Sequence, residues 1–277
     1  MPKGNSLPKL QESARQIRIS IVKMLNAAGS GHTGGAMGIA DVLTALYFSV
    51  MDVDPDKPDR QGRDRFVLSA AHMVPALYAT LAERGFFLKK ELSSLRSFGS
   101  RLKGHTMRNP EIGIETTGGS LGQGISIAVG FALAARLKQQ NWRTYCVIGD
   151  GECDEGEVWE AAMLAAKEKL DNLCVILDRN HIQLSANTQD VMPLEPLAAK
   201  WEAFGWHVTT VDGNDMAQVL FAFEKAKLVK SQPVIIIANT VPGKGVSFME
   251  NKWEWHGKVP GDAELAKALS ELESTGE

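Results

Sequence analysis

A chain of 277 residues, 44% hydrophobic and 23% charged, has enough apolar surface for a substantial core, which argues against a disordered polypeptide. A formal net charge of −3 lacks the basic field that a nucleic-acid binder carries. Nothing at the start resembles a signal peptide and no apolar stretch reaches the ~20 residues that a bilayer span needs, so a cytoplasmic protein without membrane contact is expected. Cys146, Cys153 and Cys174 form neither a metal spacing nor a pairing framework, and read as buried thiols of a reducing compartment.

Residues 10–28 carry apolar side chains at helical spacing (Ile17, Ile21, Met24, Leu25) until Gly29-Ser30-Gly31 breaks the pattern. The glycine-rich loop Gly31-His32-Thr33-Gly34-Gly35 then leads into a second helix, expected over 39–50. Residues 52–64 are polar and proline-bearing, as in a surface connection; a short strand over 65–69 and a helix running to about 83 follow. Residues 98–121 are rich in glycine with little periodicity, before a long apolar helix over 122–138. Next come the apolar run Tyr145-Cys146-Val147-Ile148, a helical segment, and a second apolar run, Leu173-Cys174-Val175-Ile176-Leu177. A helix near 194–203, a strand over 206–211, a helix over 216–229 and a strand over 233–238 precede a glycine-rich surface at 239–260. The charged tail, 262–277, reads as a solvated helix face. Helices alternating with near-continuous apolar strands predict an α/β fold, a parallel sheet with helices on both faces. With no internal repeat and no change of composition, residues 1–277 read as one domain.

The most informative stretch is Gly149-Asp150-Gly151, followed thirty positions later by Asn180. Alone, Gly-Asp-Gly is a tight turn after a strand. Here both Asp150 and Asn180 follow buried-strand signals separated by one helix. A parallel sheet sets them side by side at the carboxyl ends of neighbouring strands, where open α/β sheets bind ligands. A carboxylate and an amide oxygen, with glycines that let the backbone approach a phosphate, suit a hard cation gripping a diphosphate. The glycine-rich loops, longer than simple turns require, carry His32, His72, His105 and His256. His207 lies within a predicted strand and His181 directly follows Asn180; neither is assigned a role. Glu152 and Glu155 have a plain reading as acidic complements to a helix start.

In order, Gly31-His32-Thr33-Gly34-Gly35, Leu68-Ser69-Ala70-Ala71-His72, Gly104-His105, Gly119-Ser120-Leu121-Gly122-Gln123-Gly124, Gly149-Asp150-Gly151-Glu152, Asn180 and His256-Gly257 resemble the transketolase family. More narrowly, the chain is similar to the amino-terminal, diphosphate-binding subunit of a split transketolase, from about residue 10 to 260. The resemblance implies the parallel-sheet thiamine diphosphate-binding fold, with no pyrimidine-binding domain in this chain. It implies thiamine diphosphate anchored through Mg²⁺, or Ca²⁺ or Mn²⁺ in its place, held by Asp150, Asn180 and the carbonyl of Ile182. Gly149, Gly151 and Glu152 would border the diphosphate, and His72 with Gly119, Ser120 and Leu121 would contact the diphosphate and rings. His32, His105 and His256 would line the channel to the reacting carbon, bind sugar hydroxyls and carry protons, since imidazole titrates near working pH. Glu155 would sit at the partner interface and assist an activating glutamate there.

The implied activity is transfer of a two-carbon ketol unit between sugar phosphates. It requires a separate carboxy-terminal subunit bearing the pyrimidine-binding domain, in an α2β2 heterotetramer. Three other readings share these residues: the α subunit of a 2-oxo acid dehydrogenase, a ketol transferase for modified sugars, and a non-catalytic protein that kept the fold. Departures from the family pattern fall at Thr33, Ala70-Ala71, Met73, Gly118 and Trp253-Glu254-Trp255, and point to a reshaped donor pocket.

Overall fold

In the computed structural model, which describes residues 6–274, five strands pair into one wholly parallel sheet. They are β1 (Arg65–Leu68), β2 (Thr144–Gly149), β3 (Leu173–Arg179), β4 (His207–Asp212) and β5 (Val234–Asn239), in the spatial order β1-β2-β3-β5-β4. The helices are α1 (Leu7–Ala28), α2 (Gly34–Gly38), α3 (Ala40–Ala45), α4 (Val74–Arg84), α5 (Gln123–Leu137), α6 (Gly156–Lys167), α7 (Thr188–Val191), α8 (Leu197–Ala203), α9 (Met216–Leu228) and α10 (Asp262–Ser274).

β2 and β3 are buried along their whole length because both sheet faces are covered. Successive side chains point to opposite faces, so each strand feeds two cores. Tyr145, Val147, Cys174 and Ile176 pack into the layer built from α1, α3, α4 and α9. Cys146, Ile148, Val175 and Leu177 pack into the opposite layer, built from α5, α6 and α8, where Trp201 stacks near Trp159 and Trp206. The α/β architecture expected from the sequence is therefore present, with helices on both faces.

The differences have local causes. The helix expected over 39–50 is present as α3 continued by a π turn, Leu46–Val50, and a further short helix, α2, precedes it, set apart by Ile39 (φ −78°, ψ −3°). Gly38 belongs there because a Cβ would meet the Val241 carbonyl oxygen at 3.1 Å. β4 is an edge strand, so His207 and Thr210 are exposed and the strand is only partly apolar. α7 is a short helix that the sequence pattern does not announce. The charged tail is not merely a solvated face, since Ala268 and Leu272 of α10 are buried in the α1 layer. Residues 1–5 of the single-domain expectation and 275–277 of the tail lie outside the described residues.

The start of α5 lies directly against the end of β1. A Cβ on Gly124 would fall 2.5 Å from the Ser69 Cα, a backbone contact that cannot yield cheaply. Gly124→Ala is expected to lower unfolding free energy by about 1–3 kcal/mol through overpacking. Urea denaturation measures this, and an unchanged midpoint would contradict so close an approach.

Candidate active site

The segments leaving β1, β2 and β3 at their carboxyl ends line a cavity of about 320 Å³. Gly149 pairs with Asp178 across β2 and β3, so Asp150 and Arg179 leave the sheet together and Asn180 follows. His72 comes from the turn after β1, His32 from the loop before α2, and His256 from the loop after β5. The hydroxyl of Thr33 donates to the Lys258 carbonyl at 2.6 Å, and the Gly243 N–H donates to the Gly34 carbonyl at 2.9 Å. These bonds draw two loops more than 200 residues apart into one wall.

Of the residues singled out in the sequence, His32, His72, His105, Gly119, Leu121, Gly149, Asp150, Gly151, Glu152, Asn180, Ile182 and His256 all line this cavity. Ser120 and Glu155 do not. Glu155 is exposed at the start of α6, with its Cβ 3.0 Å from where a Cβ would stand on Gly122. That places it on the rim. Met73, Gln183 and Leu184 complete the wall. The Trp253–Trp255 run stays out of it: Trp255 is buried against Phe248, beneath the Lys258 ammonium.

Asp150 is almost fully buried, and burial pushes its carboxyl up to about 6 against the opposing pull of His181 N–H, Arg179 and Gly151 N–H. Its Oδ1 accepts from Gly151 N–H at 2.8 Å; its Oδ2 accepts from His181 N–H at 2.7 Å and Arg179 Nη1 at 3.0 Å. His181 therefore acts through its main chain, turned toward Asp150 by a left-handed backbone (φ 64°). Asn180 is held at both ends: Nδ2 donates to Asp178 Oδ2 at 2.7 Å and Oδ1 accepts from Ile182 N–H at 3.0 Å. Asp178 also accepts from the Thr240 hydroxyl at 2.5 Å, and burial raises its carboxyl to about 7.

The donor set fits a hard cation. A carboxylate offers about four acceptor positions and an amide oxygen two. Three of the former and one of the latter are used within the protein, which leaves one on each residue. Among the described residues no group of three or more His, Cys, Asp or Glu side chains suited to a metal is present. A cation here would therefore rely on these oxygens and on those of a bound phosphate, as Mg²⁺ commonly does.

Glu152 has a role other than a helix-dipole complement. Its carboxylate accepts from the Ser69 hydroxyl, from Gly122 N–H at 2.8 Å and from Gly149 N–H at 3.0 Å. It thus ties the ends of β1 and β2 to the turn that starts α5.

The rings of His32, His72 and His256 form a triangle with centroids 5.0, 5.3 and 5.5 Å apart. Burial, then the neighbouring imidazoles, pushes His72 down to about 3; burial, His256 and Arg96 push His32 down to about 4. Burial also lowers His256 and His105. His32 and His72 are thus neutral at pH 7, displaced below the titration range expected from sequence. Each offers one donor and one acceptor. The Nδ1 atoms of His32 and His256 are buried without a protein partner, and both rings face the cavity. An anion entering this space would favour the charged imidazoles and reverse part of the shift.

Sequence reasoning missed Asp178, Arg179 and Thr240, which orient the two central oxygens. The period-two alternation of β3 was an available signal, since it sets Asp178 and Asn180 on one side and Arg179 on the other.

Comparison with known proteins agrees with this geometry. The family described as "Transketolase, thiamine diphosphate binding domain" matches residues 10–274. The chain is 44% identical over 267 residues to a 6-deoxy-6-sulfo-D-fructose transketolase subunit of Clostridium sp., covering 96% of this chain and 97% of that one. It is 42% identical over 264 residues to an apulose-4-phosphate transketolase subunit of Phocaeicola vulgatus, covering 95% and 93%. The structure superposes on transketolase from Campylobacter jejuni with a TM-score of 0.90 at 33% identity, covering 98% of this chain but only 43% of that one. The chain belongs to the transketolase family of ketol transferases. It is the thiamine diphosphate-binding part of that family.

The lowered titration of the His72 imidazole has a consequence for stability. In the unfolded chain it titrates near 6.5, in the folded chain near 3, so only the unfolded state takes up this proton in between. Stability is therefore intact above about 6.5 and falls as pH is lowered toward 3, by up to about 1.4 kcal/mol per pH unit from this residue. Urea unfolding of wild type and His72→Gln at about pH 7.5 and about pH 5 should show a smaller acid loss in the variant. Equal losses would contradict the assignment.

Proposed function

We propose that this chain is the diphosphate-binding half of a two-chain transketolase, active only with a separate subunit that carries the pyrimidine-binding domain. In this reading residues 1–277 form a single cofactor-binding domain. Thiamine diphosphate is anchored through Mg²⁺, or a Ca²⁺ or Mn²⁺ substitute, by Asp150, Asn180 and the Ile182 carbonyl. The observation that carries it is the convergence of Asp150 and Asn180 with His32, His72, His105 and His256 on one cavity. The coverage supports the division into two chains, because this chain matches less than half of the Campylobacter transketolase while matching nearly all of two proteins named as subunits.

When bound, the cofactor supplies the carbon nucleophile and the electron sink for breaking and making the carbon–carbon bond. The chain's own residues bind, orient and move protons. His72, Gly119 and Leu121 border the cofactor, with Gly149, Gly151 and Glu152 shaping the diphosphate end. His32 and His256, with unpartnered Nδ1 atoms, hydrogen-bond sugar hydroxyls and exchange protons with the oxygens of the reacting carbons. His105, exposed at the mouth, meets the substrate from the solvent side. Glu155 on the rim reaches the partner and supports its activating glutamate. Substrates are a ketose and an aldose, typically as phosphates, and the assembly is an α2β2 heterotetramer. No described helix is long and apolar enough to cross a membrane. The free, buried Cys146, Cys153 and Cys174 suit the cytoplasm.

A second reading concerns the substrate alone. The names of the two similar subunits specify a sulfonated deoxyketose and apulose-4-phosphate. That favours an uncommon sugar over the ordinary pentose phosphates.

The purified lone chain is expected to show no ketol transfer and to gain it on reconstitution with a pyrimidine-domain subunit. In the reconstituted assembly, Asp150→Ala and Asn180→Ala should weaken thiamine diphosphate binding by roughly ten- to hundred-fold or more in calorimetry. Turnover by the lone chain, or unchanged affinity in both variants, would refute the reading.

A further inference from the structure

Arg179 is among the most deeply buried cations of the chain, and nothing in the ketol-transfer reading accounts for it. Its side chain is 4% exposed and that of Asp150 is 2% exposed. Nη1 donates both to Asp150 Oδ2 at 3.0 Å and to the Thr188 hydroxyl at 2.9 Å; Nη2 donates to Glu195 Oε1 at 3.1 Å. The other oxygen of Glu195 accepts from Leu197 N–H at 2.8 Å, at the start of α8. Thr188 N–H donates to the His181 carbonyl at 3.0 Å, and His181 N–H returns to Asp150. One guanidinium thus joins the central carboxylate of the cavity to both ends of the segment 181–195, whose Ile182, Gln183 and Leu184 form part of the cavity wall.

A guanidinium has five donors and no acceptor, and it keeps its charge at any working pH. It is never a ligand for a cation, but it satisfies a buried carboxylate that would otherwise stand uncompensated. A divalent cation brought to Asp150 approaches a carboxylate already partnered by a fixed positive charge. Both side chains are almost fully buried, so the repulsion between the two cations is only weakly screened.

We propose that Arg179 is an internal counter-ion that holds Asp150 in the cation-free chain and competes with the divalent cation for it, so that it sets the affinity of the metal site. Entry of the cation makes the guanidinium share or yield Asp150 and lean on Thr188 and Glu195, which couples metal occupancy to the 181–195 segment. Arg179 is a positioning residue; it touches neither substrate nor cofactor. The inference rests on the cation site of the preceding section, and the experiment separates the two.

Mn²⁺ is titrated, with thiamine diphosphate, into the chain reconstituted with its pyrimidine-domain subunit, and free Mn²⁺ is read by electron paramagnetic resonance. Loss of binding in Asp150→Asn confirms the site itself. Arg179→Gln, which removes the charge, should tighten Mn²⁺ binding by about tenfold or more while lowering the melting temperature of the cation-free chain. Arg179→Lys, which keeps the charge but not the fork, should stay within about threefold of wild type. Glu195→Gln removes the charge of a largely exposed carboxylate, so it gives an arm that folds: with the ion pair on Nη2 weakened to a neutral hydrogen bond, the guanidinium settles more fully on Asp150 and binding weakens by about threefold. Wild-type binding that Asp150→Asn abolishes, together with unchanged or weaker binding in Arg179→Gln, would overturn the proposal and leave the site standing. Should Arg179→Gln fail to fold, tighter binding in Glu195→Gln would overturn it. Absence of Mn²⁺ binding in wild type and in Arg179→Gln alike would overturn both.

Discussion

The structure depends on the parallel register of β2 against β3. Setting Gly149 opposite Asp178 brings Asp150 and Asn180 out of the sheet within one residue of each other. Every hydrogen bond around the pair follows from that register. Arg179 and the His181 N–H converge on Asp150, and Asp178 with the Ile182 N–H fixes the Asn180 amide. The cores on both faces keep the strands dry and in place. A slip of one residue would turn each side chain to the other face and separate the two oxygens.

Burial gives this arrangement its chemical character. Away from water, the carboxyl groups of Asp150 and Asp178 are pushed up toward neutrality, and the imidazoles of His32 and His72 are pushed down. The cavity thus sets neutral imidazoles, two of them with unpartnered nitrogens, beside the Asp150 carboxylate and its Arg179 counter-charge. Such a space gains most from an incoming group that carries both charges, a cation for the oxygens and an anion for the rings. A metal diphosphate has that character, and the family match to a thiamine diphosphate-binding domain agrees with it.

Much of this was legible in the sequence because strands buried on both faces announce themselves as apolar runs with little alternation. The runs ending at Gly149 and Arg179 were therefore readable, and so was the neighbourhood of Asp150 and Asn180. The loop histidines were readable only through their motifs, since no periodicity links His32 to His256; long-range bonds such as Thr33 to Lys258 join them in space. The helix over 39–50 was readable, whereas the short α2 before it was not, because Gly38 answers to the Val241 backbone, a tertiary contact that a local window does not contain. Arg179 and the bonds that engage Glu152 escaped for a related reason: Arg179 reaches Glu195 16 positions away and Glu152 reaches Ser69 83 positions away, and only the folded chain shows that their charges are already engaged. Ser120 belongs to a cavity-lining motif but does not line the wall, which shows the limit of carrying a motif over as a block.

The most direct test of the account is anomalous diffraction from crystals of the chain with its partner, Mn²⁺ and thiamine diphosphate. The account predicts a single strong manganese peak among Asp150, Asn180, the Ile182 carbonyl and the two phosphates. A peak elsewhere, or a diphosphate bound far from the β2–β3 edge, would contradict it.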